Sequence, residues 1–192
     1  MRRTLFALSL LAAAACVDSA QAQLADKLRG YSLDIEVNAR HVFDGNAGGM
    51  GETINTRTIK VYVSEKGRLF DFSGASGTSA RTGRTLVGAG GAEVVDWGQV
   101  WSHGPIGQRW TTTGTTLIRE RIYPWGRQYI NIKISGDFRS CTASTQLKST
   151  REDKKFFFYG IPNGKLIPVV DYRLTSQRCT IMHGNIFAST SI

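Results

Sequence analysis

Tyr31-Ser32-Leu33-Asp34-Ile35-Glu36-Val37-Asn38-Ala39-Arg40 is the stretch that decides the class of fold. Tyr31, Leu33, Ile35, Val37 and Ala39 alternate with Ser32, Asp34, Glu36, Asn38 and Arg40. Successive side chains of a strand point to opposite faces, so this period of two predicts a strand with one apolar and one wet face. His41 continues the apolar phase, which predicts a hydrogen-bonded core or rim histidine rather than a ligand. Just upstream, Leu24 and Leu28 sit at i and i+4 ahead of Gly30. That spacing predicts one or two helical turns with a glycine cap, either plugging the following sheet or fraying.

The same reading extends along the chain. Asp44-Gly45-Asn46 and Gly48-Gly49 supply a turn. Ile59, Val61 and Val63 then alternate against Thr58, Lys60, Tyr62 and Ser64, and Lys66-Gly67 turns the chain into Arg68-Leu69-Phe70-Asp71-Phe72. These predict a hairpin. Residues 73–91, rich in Gly, Ser and Thr, read as a flexible surface loop. One strand is expected over residues 92–102, with Val95, Trp97, Gln99 and Trp101 on a shared face. Thr111 to Thr116 suits a strand pair around Gly114, and further strands follow over 117–123, 129–135 and from Cys141 to Leu147, with a turn at Pro124-Trp125-Gly126. Residues 156–159 and 166–174 predict a hairpin across Pro162-Asn163-Gly164, and residues 179–182 close the set. The expected fold is all-β: an antiparallel meander of roughly eight to ten strands. Nearly sequential hairpins favour a closed or partly closed β-barrel that hides its edges, with a β-sandwich as the alternative.

The N-terminal residues predict export to the periplasm or out of the cell. Arg2 and Arg3, an apolar run over residues 5–17 and Ala20-Gln21-Ala22 read as a signal peptide over residues 1–22, cleaved after Ala22. Ala13-Ala14-Ala15-Cys16 offers an alternative lipoprotein site, without the usual leucine three residues before the cysteine. Residues 23–192 are then one β-rich domain in the periplasm or outside the cell, and no later apolar run approaches the length of a membrane helix. Lysine and arginine number 24 against 15 aspartates and glutamates, a formal charge of +9. An exported basic protein meets lipid headgroups, acidic polysaccharide and wall polymers rather than nucleic acid; a basic surface that simply keeps the domain soluble is the plainer reading. Cys16 leaves with the signal peptide, and Cys141 and Cys179 remain. An oxidising compartment favours one disulfide between them, and without Cys-x-x-Cys spacing it reads as a staple rather than a redox-active pair.

No catalytic motif stands out. His41, His103 and His183 are far apart, and none has a second histidine or carboxylate at metal-ligand spacing. Gly83-Arg84-Thr85-Leu86-Val87-Gly88 precedes Ala89 where a phosphate-cradling loop needs lysine, and no Gly-x-Ser-x-Gly elbow is present. No cofactor, metal or catalytic residue is therefore assigned. The aromatic and basic residues Trp97, Trp101, Trp110, Arg119 and Arg121 are the candidate binding set. Inside a barrel they would line a pocket for a small amphipathic or anionic molecule. In the competing reading Trp97 and Trp101 fill the core and the arginines are solvated.

Three motifs carry a family resemblance: Tyr62-Val63-Ser64-x-x-Gly67-Arg68-x-Phe70, Phe138-x-Ser140-Cys141-x-Ala143, and Cys179 leading to Gly184-Asn185-x-Phe187. In these the chain resembles small secreted two-cysteine proteins of unknown function from alphaproteobacteria. The resemblance implies secretion and a β-rich domain and brings no activity with it. Lipocalins are similar in architecture only, since Gly30-Tyr31-Ser32 stands where their Gly-x-Trp would be. Three functional classes follow: an exported domain that binds a small amphipathic or anionic envelope ligand, a small outer-membrane barrel, and an enzyme whose site assembles only in space.

Overall fold

In a computed structural model, which describes residues 23–44, 51–79, 85–88, 92–159 and 164–188, the alternation that begins at Tyr31 becomes β1 (Tyr31–Phe43). The expected signal peptide and Cys16 lie outside the described residues. Next along the chain come β2 (Glu52–Val63), β3 (Leu69–Ser79), β4 (Thr85–Gly88) and β5 (Ala92–Val95). They are followed by β6 (Trp101–His103), β7 (Ile106–Thr113), β8 (Thr116–Tyr123) and β9 (Gly126–Ile134). The chain ends its sheets with β10 (Cys141–Ser149), β11 (Phe156–Tyr159) and β12 (Leu166–His183). All pairings are antiparallel. One sheet runs β11-β12-β1-β2-β3-β4, with β5 also on β3, and curves into a half-barrel; the other runs β10-β9-β8-β7-β6. The fold is thus an all-β meander and a partly closed barrel.

Three local readings change. Residues 73–91 are not wholly loop: residues 73–79 continue β3 against β2, and residues 85–88 form β4. Glycine and serine are poor strand formers, but a backbone ladder with a neighbour on each side holds them there. Residues 80–84 and 89–91 lie outside the described residues. The strand expected over 92–102 is broken, with β5 ending at Val95 and β6 starting at Trp101. Between them Gly98 takes a φ of +74° and its N–H donates to the Trp110 carbonyl at 2.8 Å. Residues 166–174 and 179–182 are one strand, β12, bent by irregularities opposite Asn38/Ala39 and Val42/Phe43.

The plug reading of the N-terminal turn holds. Residues 23–27 are helical, and Leu24 and Leu28 are buried in the main apolar cluster. That cluster joins Leu33, Ile35, Ile59, Val61 and Leu69 of one sheet to Trp110, Leu117, Ile130 and Ile132 of the other. A smaller cluster of Ile106, Tyr123 and Phe156 sits at the opposite end.

The sheets meet along β10 and β12 without a backbone ladder. Side chains close this seam. Cys141 and Cys179 form a disulfide with Cα atoms 5.5 Å apart, and the Ala143 N–H donates to Gln177 Oε1 at 3.0 Å. Further along, the Tyr172 hydroxyl meets Thr145 Oγ1 and accepts from Gln128 Nε2 at 3.1 Å. No helix among the described residues is long and apolar enough to cross a membrane.

Candidate functional site

Directly paired residues of an antiparallel ladder share a face, so the registers assign the interior of the barrel. From the plugged end, Leu33, Val61 and Asp71 lie on one row, followed by Ile35, Ile59 and Ser73. The next row is Val37, Arg57 and Ala75, and the last is His41 with Thr53 and Tyr172. On the facing sheet, Leu117 pairs with Ile132, Arg119 with Trp110 and Ile130, and Arg121 with Gln108 and Gln128. Burial changes along these rows. Ile59, Val61, Leu69 and Leu117 are fully enclosed, whereas Asn55, Arg57, Ser73, Ala75 and Arg121 are only half-buried although they face inward. The interior is therefore sealed and apolar at the helical end, and polar and partly solvent-reached toward the other.

Arg119 and Asp71 form the floor of the polar half. Both are almost wholly buried, at 2% and 3% side-chain exposure. Arg119 Nη2 and Nε donate to Asp71 Oδ2 at 2.9 and 3.2 Å, and Nη2 also donates to Ser73 Oγ at 3.1 Å. The guanidinium carbon lies 5.7 Å from the centroid of the Trp110 ring, a cation–π distance. Three buried polar atoms around this floor find no hydrogen-bond partner among the described residues: Asp71 Oδ1, Gln108 Oε1 and Trp110 Nε1. Natural interiors leave few such atoms, and each needs a partner such as water or an ion.

Above the floor sit Arg57 and Arg121, and neither has a carboxylate partner among the described residues. Arg121 Nη1 donates to Gln128 Oε1 at 3.2 Å, and its guanidinium carbon lies 5.7 Å from the Tyr123 ring centroid. Burial lowers the pKa of Arg57, and the Arg119 charge lowers it further. Arg121 is pushed down to about 9, first by burial and then by the charge of Arg57. A guanidinium at that value stays charged at neutral pH, so relief comes from a counter-anion or water rather than from proton loss. Both side chains are half-buried, so water solvates them in part and a bound anion would add the missing counter-charge.

An aromatic rim closes the set. His41 stacks on Phe158 at 5.0 Å and meets Tyr172 edge-on at 4.8 Å, with Phe43 at 5.9 Å. Burial, and after it the charge of Arg57, push His41 down to about 3 from 6.5. The unfolded chain takes up a proton near pH 6.5 and the folded chain does not, so stability is lost as pH falls from 6.5 toward 3. At pH 5 this one group should lower the unfolding free energy by about 2 kcal/mol relative to pH 8. Urea unfolding of His41→Phe should flatten that slope, and an unchanged slope would assign it to other groups.

Of the five residues singled out in the sequence, the structure brings together Trp110, Arg119 and Arg121. Trp97 and Trp101 stand apart from them in role. Both pack, partly buried, against the apolar cluster, and Trp97 Nε1 donates to the Gly67 carbonyl at 3.2 Å. Arg57, Asp71, Gln108 and Tyr172 complete the site and were not in the expected set. No group of three or more histidines, cysteines or carboxylates able to hold a metal ion is found among the described residues. No protein-family model matches the chain, and neither a curated protein nor a solved structure matches it.

Proposed function

We propose that this protein is an exported, non-catalytic binding domain that takes a small amphipathic anion into the polar half of its barrel. The carrying observation is the pair Arg57 and Arg121, two inward guanidiniums without a carboxylate partner among the described residues. Of the polar atoms left without a partner among the described residues, Trp110 Nε1 supports the same reading, because its N–H can donate to an anion, while the acceptors Asp71 Oδ1 and Gln108 Oε1 would need water. The apolar part of the ligand has partners in half-buried Leu147 and Phe158, beside buried Tyr123. Export is supported by the expected signal peptide and by the disulfide, which persists in oxidising compartments.

The outer-membrane alternative fits the surface poorly. Outward positions carry Asp34, Glu36, Arg40, Lys60, Arg109, Glu120, Arg127 and Lys133, and Glu120 pairs with both Arg109 and Arg127. A membrane barrel needs an apolar band there and a polar lumen along its whole length.

Octanoate, octyl glucoside and octyltrimethylammonium separate anion, neutral and cation binding at constant chain length. Calorimetry should show one octanoate per chain and much weaker binding of the other two. Arg57→Gln with Arg121→Gln should weaken octanoate at least tenfold, the loss of about 1.4 kcal/mol or more that removing charge-assisted hydrogen bonds brings. Equal binding of the neutral amphiphile would defeat the proposal.

A further inference from the structure

The charge count in the polar half goes beyond the preference for an anion. Resting on that reading, we infer that the site is built for a doubly charged headgroup of the phosphate-monoester type rather than for a singly charged one. The charged and titratable groups facing it can be counted element by element. β1 contributes His41, enclosed by aromatic rings and neutral at physiological pH. β2 contributes Arg57, and β3 contributes Asp71. β8 contributes Arg119, Arg121 and Tyr123, and β12 contributes Tyr172. On β5, Glu93 is in register with Asp71 but stays exposed on its edge strand. Asp71 neutralises Arg119 through two hydrogen bonds to one oxygen. Among the described residues, two positive charges are left, on Arg57 and Arg121.

The geometry agrees with the count. Arg57 stands on an inward position of one sheet and Arg121 on an inward position of the other. Two planar forks approaching from opposite walls suit a headgroup with three terminal oxygens, since each fork takes two oxygens and one is shared. A carboxylate or a sulfate ester brings one charge and leaves the second guanidinium uncompensated. Gln108 Oε1, buried beside Arg121 and without a hydrogen-bond partner among the described residues, is an acceptor and so meets a dianionic headgroup only through a bridging water.

Octyl phosphate and octyl sulfate below their micelle concentrations provide the test, because only the phosphate gains its second charge as pH rises through about 6. Calorimetry on the full chain should show octyl phosphate tightening about fourfold between pH 5.5 and pH 7.5, as the dianion fraction rises. Octyl sulfate should stay flat and bind more weakly at pH 7.5. Arg121→Gln should remove both the pH step and the phosphate preference. Inorganic phosphate in competition identifies the source: displacement marks a free phosphate site, and no displacement marks an alkyl or lipid phosphate, with the pH step required in either case. Equal, pH-independent binding of both amphiphiles would overturn the dianion inference and leave the anion-binding function standing. Failure of octanoate, octyl sulfate and octyl phosphate alike would overturn both.

Discussion

Replacing Asp71 with alanine is expected to lower the unfolding free energy by about 3 to 5 kcal/mol, as removing one partner of a buried ion pair does. Arg119 would keep only Ser73 Oγ and the Trp110 face, at 2% exposure and near two further guanidiniums. The double replacement Asp71→Ala with Arg119→Met should recover most of the loss. A well-filled apolar substitute for a buried pair is often neutral or better, because neither charge then has to be desolvated. Urea unfolding of the two variants against the parent reads the difference through the midpoint at constant slope. A cost below about 1 kcal/mol for the single variant, the range of solvated pairs, would mean that water reaches the floor. In that case Arg119 would not be fully neutralised, and the charge balance above it would have to be redrawn.

The strand pattern was legible because the barrel has a wet outside and a mostly dry inside. Where both conditions hold, as in Leu33 to Phe43, alternation in the sequence maps onto alternation in burial, whereas Ser32, expected on the wet face, is buried and donates to the Gly184 carbonyl. β12 shows why the reading fails elsewhere. Tyr172 and Leu174 face inward opposite His41 and Ala39, whereas Gln177, Cys179 and Ile181 face inward opposite Val37, Ile35 and Leu33. The inward phase changes from even to odd numbers at Thr175, which is unpaired in the ladder and donates through Oγ1 to the Asn38 carbonyl at 3.0 Å. One extra residue inverts every later side chain, so a single bulged strand reads as two separate ones.

The site was half legible for a related reason. Trp110, Arg119 and Arg121 sit on alternate positions of paired strands, and aromatic and basic residues at such positions attract notice on composition alone. Arg57 carried an equally good signal. Counting back from Val63, Val61 and Ile59 in steps of two arrives at Arg57, which places a guanidinium on the apolar phase. Asp71 follows Leu69 in the same way on β3. A charged residue in phase with a buried row marks either a pair across the interior or a ligand: Asp71 and Arg119 are such a pair, and Arg57 has no carboxylate partner among the described residues. What no sequence pattern held was the pairing of β3 with β8 across the interior, because side-chain contact between facing sheets leaves no periodicity. Trp97 illustrates the converse: its place on an alternating run was undone by Gly98, whose left-handed backbone ends that run.

Replacing both Cys141 and Cys179 with serine should also cost about 4 kcal/mol, the chain-entropy value for a loop closed over a separation of 38 residues. Set against a net stability of about 5 to 15 kcal/mol for a domain, that is a large share. The position of the bridge gives a reason to expect the full effect. β10 and β12 share no backbone ladder, so the disulfide and the Ala143–Gln177 and Thr145–Tyr172 contacts hold the two sheets together along that seam. The half-cystines are in register with Ile134 and Ile35, inside the apolar half. Arg57 and Arg121 lie further toward the polar end, on the rows of Val37 and Gln128. The variant should therefore unfold at lower urea while its folded fraction binds octyl phosphate with nearly parental affinity. Urea titration with calorimetry at a temperature where the variant is folded separates the two effects. A loss of affinity as large as the loss of stability would show that the seam and the site are one mechanical unit, with the bridge holding the two arginine-bearing walls at their working distance.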